Sequence, residues 1–245
     1  SWTAVLSTTL VVGASSGVPM VWANEAPVGA APAATPSLEW TAVLGRLEEY
    51  AERFEQMERR GSFLLRGRME ELNGDGGVDA TKELVVRVTA TPSERITEVI
   101  RYIEDGADKT SEAREKSGKK DATKKKLKLP FLRSERARYE FRVLERRAKA
   151  PHQMRVEFKP REASETTLVG SAWIDGATGE VLTMSFSPSK TPIFIDHIHV
   201  QVRFDNLTSL GRAPSRITFD ARGGVLVFKK HYRGSATLTD AKIAF

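Results

Sequence analysis

The side chains that could do chemistry are few, and the spacing of most of them points away from catalysis. The four histidines are His152, His197, His199 and His231. His197 and His199 lie two residues apart in an alternating stretch, so on a strand both project from one face and could chelate zinc or another borderline metal. That face also carries Gln201 and Arg203, which makes it the polar side of the strand. His231 would join the pair only if its own strand were a neighbour, so the metal candidate stays a pair without a third fixed ligand. Gly170-Ser171-Ala172 sits inside a strand pattern and lacks the Gly-x-Ser-x-Gly elbow that exposes a serine nucleophile. Gly74-Asp75-Gly76-Gly77 lacks the lysine-serine end and the following helix of a phosphate loop. The chain has no cysteine, which excludes a thiol nucleophile, structural disulfides and lipid attachment through an N-terminal cysteine. Asp175, at a turn after Trp173-Ile174, reads as an acceptor for backbone N–H groups rather than as an acid or base. The expectation is a protein that is not an enzyme and uses no cofactor.

The elements around these residues have clear signatures. At 245 residues, 40% hydrophobic and 29% charged, the chain can hold one large β-rich domain. Residues 1–23 carry no charged side chain. They end in Val21-Trp22-Ala23, which suits signal peptidase, so residues 1–23 read as a signal peptide whose basic start precedes the first residue given. Cleavage after Ala23 would release the domain into the periplasm, whereas an uncleaved segment would anchor it. Residues 24–37 are rich in Ala, Pro and Gly and read as a flexible linker. The domain then spans 38–245.

From Leu38 to Arg60 the apolar residues Trp40, Leu44, Leu47, Ala51, Phe54 and Met57 recur at three and four, with charged residues opposite. This predicts an amphipathic helix, with Ser37 as N-cap and Gly61 as its stop. Beyond Gly61 the period changes to two. Phe63, Leu65 and Met69 form one strand before the Asn73–Gly77 turn; Leu84, Val86 and Val88 form a second. The run from Ile96 to Tyr102 fits either a strand or a short helix. Residues 105–128 form a basic loop. It has no aromatic residue and no helix with a basic face, so no nucleic acid is expected. Its lysines Lys119, Lys120, Lys124, Lys125 and Lys126 are instead solvated or available to an envelope protein or an anionic membrane surface.

Alternation resumes with Tyr139, Phe141 and Val143, then Met154, Val156 and Phe158. The hairpin Thr166–Phe186 follows, with Leu168, Gly170, Ala172 and Ile174 on one face, Trp173 on the other, and Leu182, Met184 and Phe186 aligned in the second arm. Its Trp173 is expected to line or pack the interior. Phe194 to Phe204, Ile217 and Phe219, Val225 to Tyr232, and Thr237 to Ile243 complete about ten strands. The fold class is mainly β: a curled antiparallel sheet forming an unclosed barrel around an N-terminal amphipathic helix. A sheet this wide has more apolar face than one helix covers, so its concave side is either plugged by more of the chain or open to a hydrophobic guest.

The succession Tyr139-x-Phe141, Phe158-Lys159-Pro160, Gly170-Ser171-Ala172-Trp173-Ile174-Asp175 and Thr178-Gly179-Glu180-Val181-Leu182 resembles the outer-membrane lipoprotein-sorting (LolA-like and LolB-like) family. The resemblance covers residues 136–190, and the helix–strand start at 38–72 is compatible with it. It implies an eleven-strand unclosed barrel whose concave face takes acyl chains of lipoproteins or lipids. The basic insert and the absence of a lipid-attachment cysteine depart from the family pattern. Under this reading the apolar ligand-binding candidates are Trp40, Leu47, Phe63, Leu65, Leu84, Val86, Tyr139, Phe141, Met154, Val156, Phe158, Trp173, Met184 and Phe186. The expected function is periplasmic, non-catalytic carriage of lipid or lipoprotein acyl chains. The alternatives are an envelope regulatory or scaffold module that binds another protein, and an enzyme centred on His197 and His199.

Overall fold

The structure, a computed structural model, describes residues 38–117, 128–191, 195–225 and 228–243. The signal peptide and linker expected at 1–23 and 24–37, Phe194, and the lysines Lys119, Lys120, Lys124, Lys125 and Lys126 lie outside the described residues. Helix α1 (Leu38–Arg60) has the predicted bounds, and β1 (Gly61–Leu72) follows with no loop between them. A side chain at Gly61 would put its Cβ 2.3 Å from the Met57 carbonyl oxygen, so only glycine makes this direct passage from helix to strand. Among the described residues no helix is long and apolar enough to cross a membrane.

The remaining elements are β2 (Val78–Ala90), β3 (Arg95–Glu104), β4 (Ala107–Asp108), α2 (Thr110–Ser117), α3 (Arg133–Arg136), β5 (Tyr139–Arg147), β6 (Ala150–Pro160), β7 (Leu168–Asp175), β8 (Val181–Pro188), β9 (Ile195–Arg203), β10 (Asn206–Thr208), β11 (Gly211–Ala213), β12 (Arg216–Val225) and β13 (Phe228–Ile243). They build an 11-stranded sheet in the order β4-β3-β2-β1-β13-β12-β9-β8-β7-β6-β5, with β10-β11 as a separate hairpin. Its strand pairs are antiparallel. The chain therefore lays down two meanders, β1–β4 and β5–β9, and β12 and β13 join them. β4 and β5 end the order without pairing, so the sheet is unclosed. Val86 and Val99 from one meander and Val156 and Ile174 from the other share a single apolar cluster with Leu47 and Tyr50 of α1. Residues so far apart in the sheet order can meet one helix only if the sheet curls around it.

Alternation is legible strand by strand. In β6, Met154, Val156 and Phe158 are buried while Arg155 and Lys159 are exposed. The β7–β8 hairpin departs from the expected face assignment by one bulge. Trp173 pairs with Thr183 and Ile174 with Val181, so Leu182 is the extra residue; Val181, not Leu182, turns inward with Met184 and Phe186. The run from Ile96 to Tyr102, open between helix and strand, is strand β3. The two separate strands expected at 225–232 and 237–243 are one long β13, continuous through Gly234.

The hairpin turn lies directly against α1. Asp175 Oδ1 accepts the N–H groups of Ala177 at 2.9 Å and Thr178 at 3.3 Å, so it holds the turn as expected. Gly179 has φ +75°, and a Cβ there would lie 2.3 Å from the backbone carbonyl of Arg46. Both backbone conformation and the approach of α1 demand glycine. Gly179→Ala is expected to lower stability by roughly 2 kcal/mol or more, read as a lower urea midpoint. Gly74→Ala, where a Cβ meets nothing within 4 Å, should stay within about 0.5 kcal/mol of the wild type.

Candidate functional site

The apolar residues singled out in the sequence converge. Leu47, Leu65, Val86, Tyr139, Met154, Val156, Phe158, Met184 and Phe186 belong to one buried cluster on the inner face, and Trp40, Phe63, Leu84 and Phe141 pack against it half-buried. Trp173 is the exception. It pairs across the sheet with Arg155 and Thr183, on the outer face, where the guanidinium of Arg147 lies 4.7 Å from the indole centre. Strand parity puts it there: its neighbours Ala172 and Ile174 take the inward positions. The expectation that Trp173 lines the interior is therefore corrected.

Helix α1 presents a wider stripe than the sequence pattern indicated. Val43 and Tyr50 are buried alongside Leu44, Leu47, Ala51, Phe54 and Met57. The signal was present, since both flank the predicted stripe at helical spacing. At the far end of the groove, Phe131 stacks on Phe141 with ring centres 5.6 Å apart and meets Phe158 edge-on at 5.7 Å. Near the helix C-terminus, Phe54 meets Phe204 edge-on at 6.0 Å.

Polar contacts along the rim fasten the helix. Arg46 Nε donates to the Gly176 carbonyl at 2.8 Å, Tyr50 Oη to the Arg212 carbonyl at 2.8 Å, and Arg53 Nε to the Leu210 carbonyl at 3.2 Å. Burial pushes the Tyr50 hydroxyl well above the usual phenol range, with the Glu180 carboxylate adding to the effect. Arg146 reaches Glu39 at 2.9 Å. Glu48, placed by pattern on the polar face, is instead buried beneath Arg133 and Arg136 of α3 and accepts from both. Its hydrogen bond with Arg133 outweighs desolvation and holds the carboxyl below its ordinary range. Each arginine remains solvent-accessible, so the contacts are strong enough to orient the helix and weak enough to exchange with water.

A described cavity of about 30 Å³ lies at the C-terminal end of α1, lined by Phe54, Met57, Phe63, Arg95, Lys242 and Ile243 among others. That is far below the apolar cavity of about 150 Å³ that takes benzene. A cavity of this size does not hold an acyl chain.

The outer face carries the histidines. His197 and His199 stack with ring centres 6.3 Å apart; His199 Nε2 contacts Ser185 Oγ at 3.0 Å, and His231 Nε2 contacts Asp220 Oδ2 at 2.6 Å. The strands of His199 and His231 are not neighbours, since β12 lies between them. Among the described residues no three or more His, Cys, Asp or Glu side chains converge in a way that could hold a metal ion.

Comparison with protein-family models found no match, and comparison with curated proteins found none either. Solved structures do show similarity. A LolA superfamily protein from Nitrosomonas europaea is 13% identical with a TM-score of 0.36, over 79% of this chain and 93% of that one. A DUF1329 family protein from Desulfovibrio piger is 10% identical with a TM-score of 0.35, over 82% and 92%. The MucA/MucB complex of Pseudomonas aeruginosa gives 12% identity and a TM-score of 0.24, over 79% and 94%. At these identities and scores, the chemistry of the concave face has to be read from its own residues.

Two measurements test the site as built. Phe158→Ala removes a ring with no exposed surface and is expected to cost about 3–5 kcal/mol of unfolding free energy, read by urea denaturation. For Glu48 the folded-state carboxyl titrates below the unfolded value of 4.5. Its contribution is therefore complete above that pH and is lost as pH falls through the folded value. Glu48→Gln should be less stable than wild type at neutral pH, and the gap in urea midpoint should close as pH drops below about 4.

Proposed function

We propose that this protein is a non-catalytic binding protein of the periplasm that takes the acyl chains of a lipid or lipoprotein on the concave face of its sheet, in exchange for helix α1. The observation that carries this reading is the arrangement of the cover. One helix lies over a continuous apolar face and is fastened along its rim by hydrogen bonds and ion pairs, while its last residue passes directly into β1. Gly61 is then the pivot, and the end of the helix near Glu39 is the end that lifts.

Magnitudes limit how far it lifts. Exposing Val43, Leu44, Leu47, Tyr50, Phe54 and Met57 at roughly 2 kcal/mol each costs on the order of 12 kcal/mol. One acyl chain burying about ten methylenes returns about 8 kcal/mol. A single chain therefore supports a partial lifting of the helix, and full displacement needs a guest with more than one chain. The apolar positions from the sequence reading are the surface such a guest would meet, Trp173 excepted.

The small cavity favours a second reading, in which the core stays filled and the domain acts as a regulatory or scaffold module that binds another envelope protein. Native mass spectrometry of protein purified from its own compartment, with extraction of co-purifying lipid, separates the two. Bound acyl species at near one per chain are expected. A lipid-free chain that co-purifies stoichiometrically with a protein partner supports the second reading and overturns the first.

A further inference from the structure

The cavity at the C-terminal end of α1 is lined by two cations, Arg95 and Lys242, beside apolar side chains. Arg95, the first residue of β3, is half-buried there, and its guanidinium lies 5.9 Å from the centre of the Phe63 ring. Among the described residues no carboxylate lies within ion-pair distance of Arg95 or of Lys242, the other cation lining the cavity. Most other described arginines on the rim are paired, as Arg146 is with Glu39 and Arg133 with Glu48. Glu58, which also lines the cavity, acts on Arg95 at longer range, and desolvation pulls the guanidinium below its ordinary range. A desolvated guanidinium on an aromatic face, with no hydrogen bond from its N–H fork to another described residue, suits a carboxylate or phosphate oxygen. The neighbouring lining of Phe54, Met57 and Phe63 suits the first methylenes of an attached chain.

We infer that Arg95 and Lys242 form an anion anchor that holds the carboxylate or phosphate head of an amphiphile at the pivot end of α1, its chain running beneath the helix toward Val43. This rests on the carrier reading and adds to it a ligand class and an orientation. The head is fixed where the helix moves least, and the tail occupies the space that the lifting end vacates. From Met57 back to Val43 the helix covers about 21 Å of groove, so a long single chain fits the path.

Full-length protein titrated with palmitate and with hexadecanol, which has the same chain length but no charge, tests the assignment. Wild type should bind palmitate more tightly than hexadecanol. Arg95→Gln combined with Lys242→Gln should weaken palmitate binding about tenfold or more and leave hexadecanol binding unchanged. Arg95→Lys, which keeps the charge and guards against loss through misfolding, should recover part of the preference. Inorganic phosphate at millimolar concentration should not displace palmitate; displacement would indicate a site for the free anion and overturn the head-plus-chain assignment. If both ligands bind equally and the paired variant changes neither, the anchor is overturned while the carrier reading stands. If neither ligand binds, both fall.

Discussion

An open antiparallel sheet with apolar side chains at alternate positions has one face that water cannot be left to cover, and the rest of this structure follows from how that face is closed. Helix α1 is the main cover. Its stripe from Val43 to Met57 meets Leu65, Val86, Val156, Phe158 and Ile174, which come from both meanders of the sheet. Loss of that contact exposes apolar area on both partners, which couples the helix to both meanders of the sheet. The polar rim contacts then set where the helix sits rather than whether it binds. Glu48 shows this best: its buried carboxylate is tolerable only under Arg133 and Arg136, so the helix has one register in which the charge is paired.

The same openness leaves two sheet edges, and they are handled differently. At β3 the helix α2 closes over the edge, with Arg114 donating to the carbonyls of Val99 at 2.8 Å and Ile100 at 3.2 Å and Thr110 Oγ1 accepting the Tyr102 N–H at 2.9 Å. At the other end β5 keeps an open edge, but its outward side chains alternate in charge. Arg142 reaches across to Glu157 on β6, and Arg161 to Glu140. Charged side chains make this strand a poor template for further strand addition.

Much of this was legible in sequence because the signals were periodic. The α1 stripe, the inward rows of β6 and β7 and the turn at Asp175 each follow from spacing alone, and they bring almost all the candidate apolar residues onto one face. What escaped the sequence follows from local geometry. A bulge in the β7–β8 hairpin moves Val181 inward in place of Leu182, and a period-two reading cannot see where an extra residue is inserted. Trp173 drew attention by type, yet parity puts it outside, where Arg147 covers it. Glu48 looked like a solvated helix residue because α3, which buries it, is distant in sequence and only four residues long. Arg95 gave no signal, since its interest lies in the half-buried site at the end of α1 rather than in any motif.

The most direct test of an exchangeable helix is a distance. The chain has no cysteine, so Glu49→Cys on the exposed side of α1 and Val169→Cys on the outer face of β7 can be spin-labelled as a unique pair. A pulsed-dipolar measurement with and without saturating palmitate should show one distance in the free protein and a second, longer population that grows with bound ligand. A single unchanged distance when palmitate is demonstrably bound would contradict a concave face that opens by lifting α1.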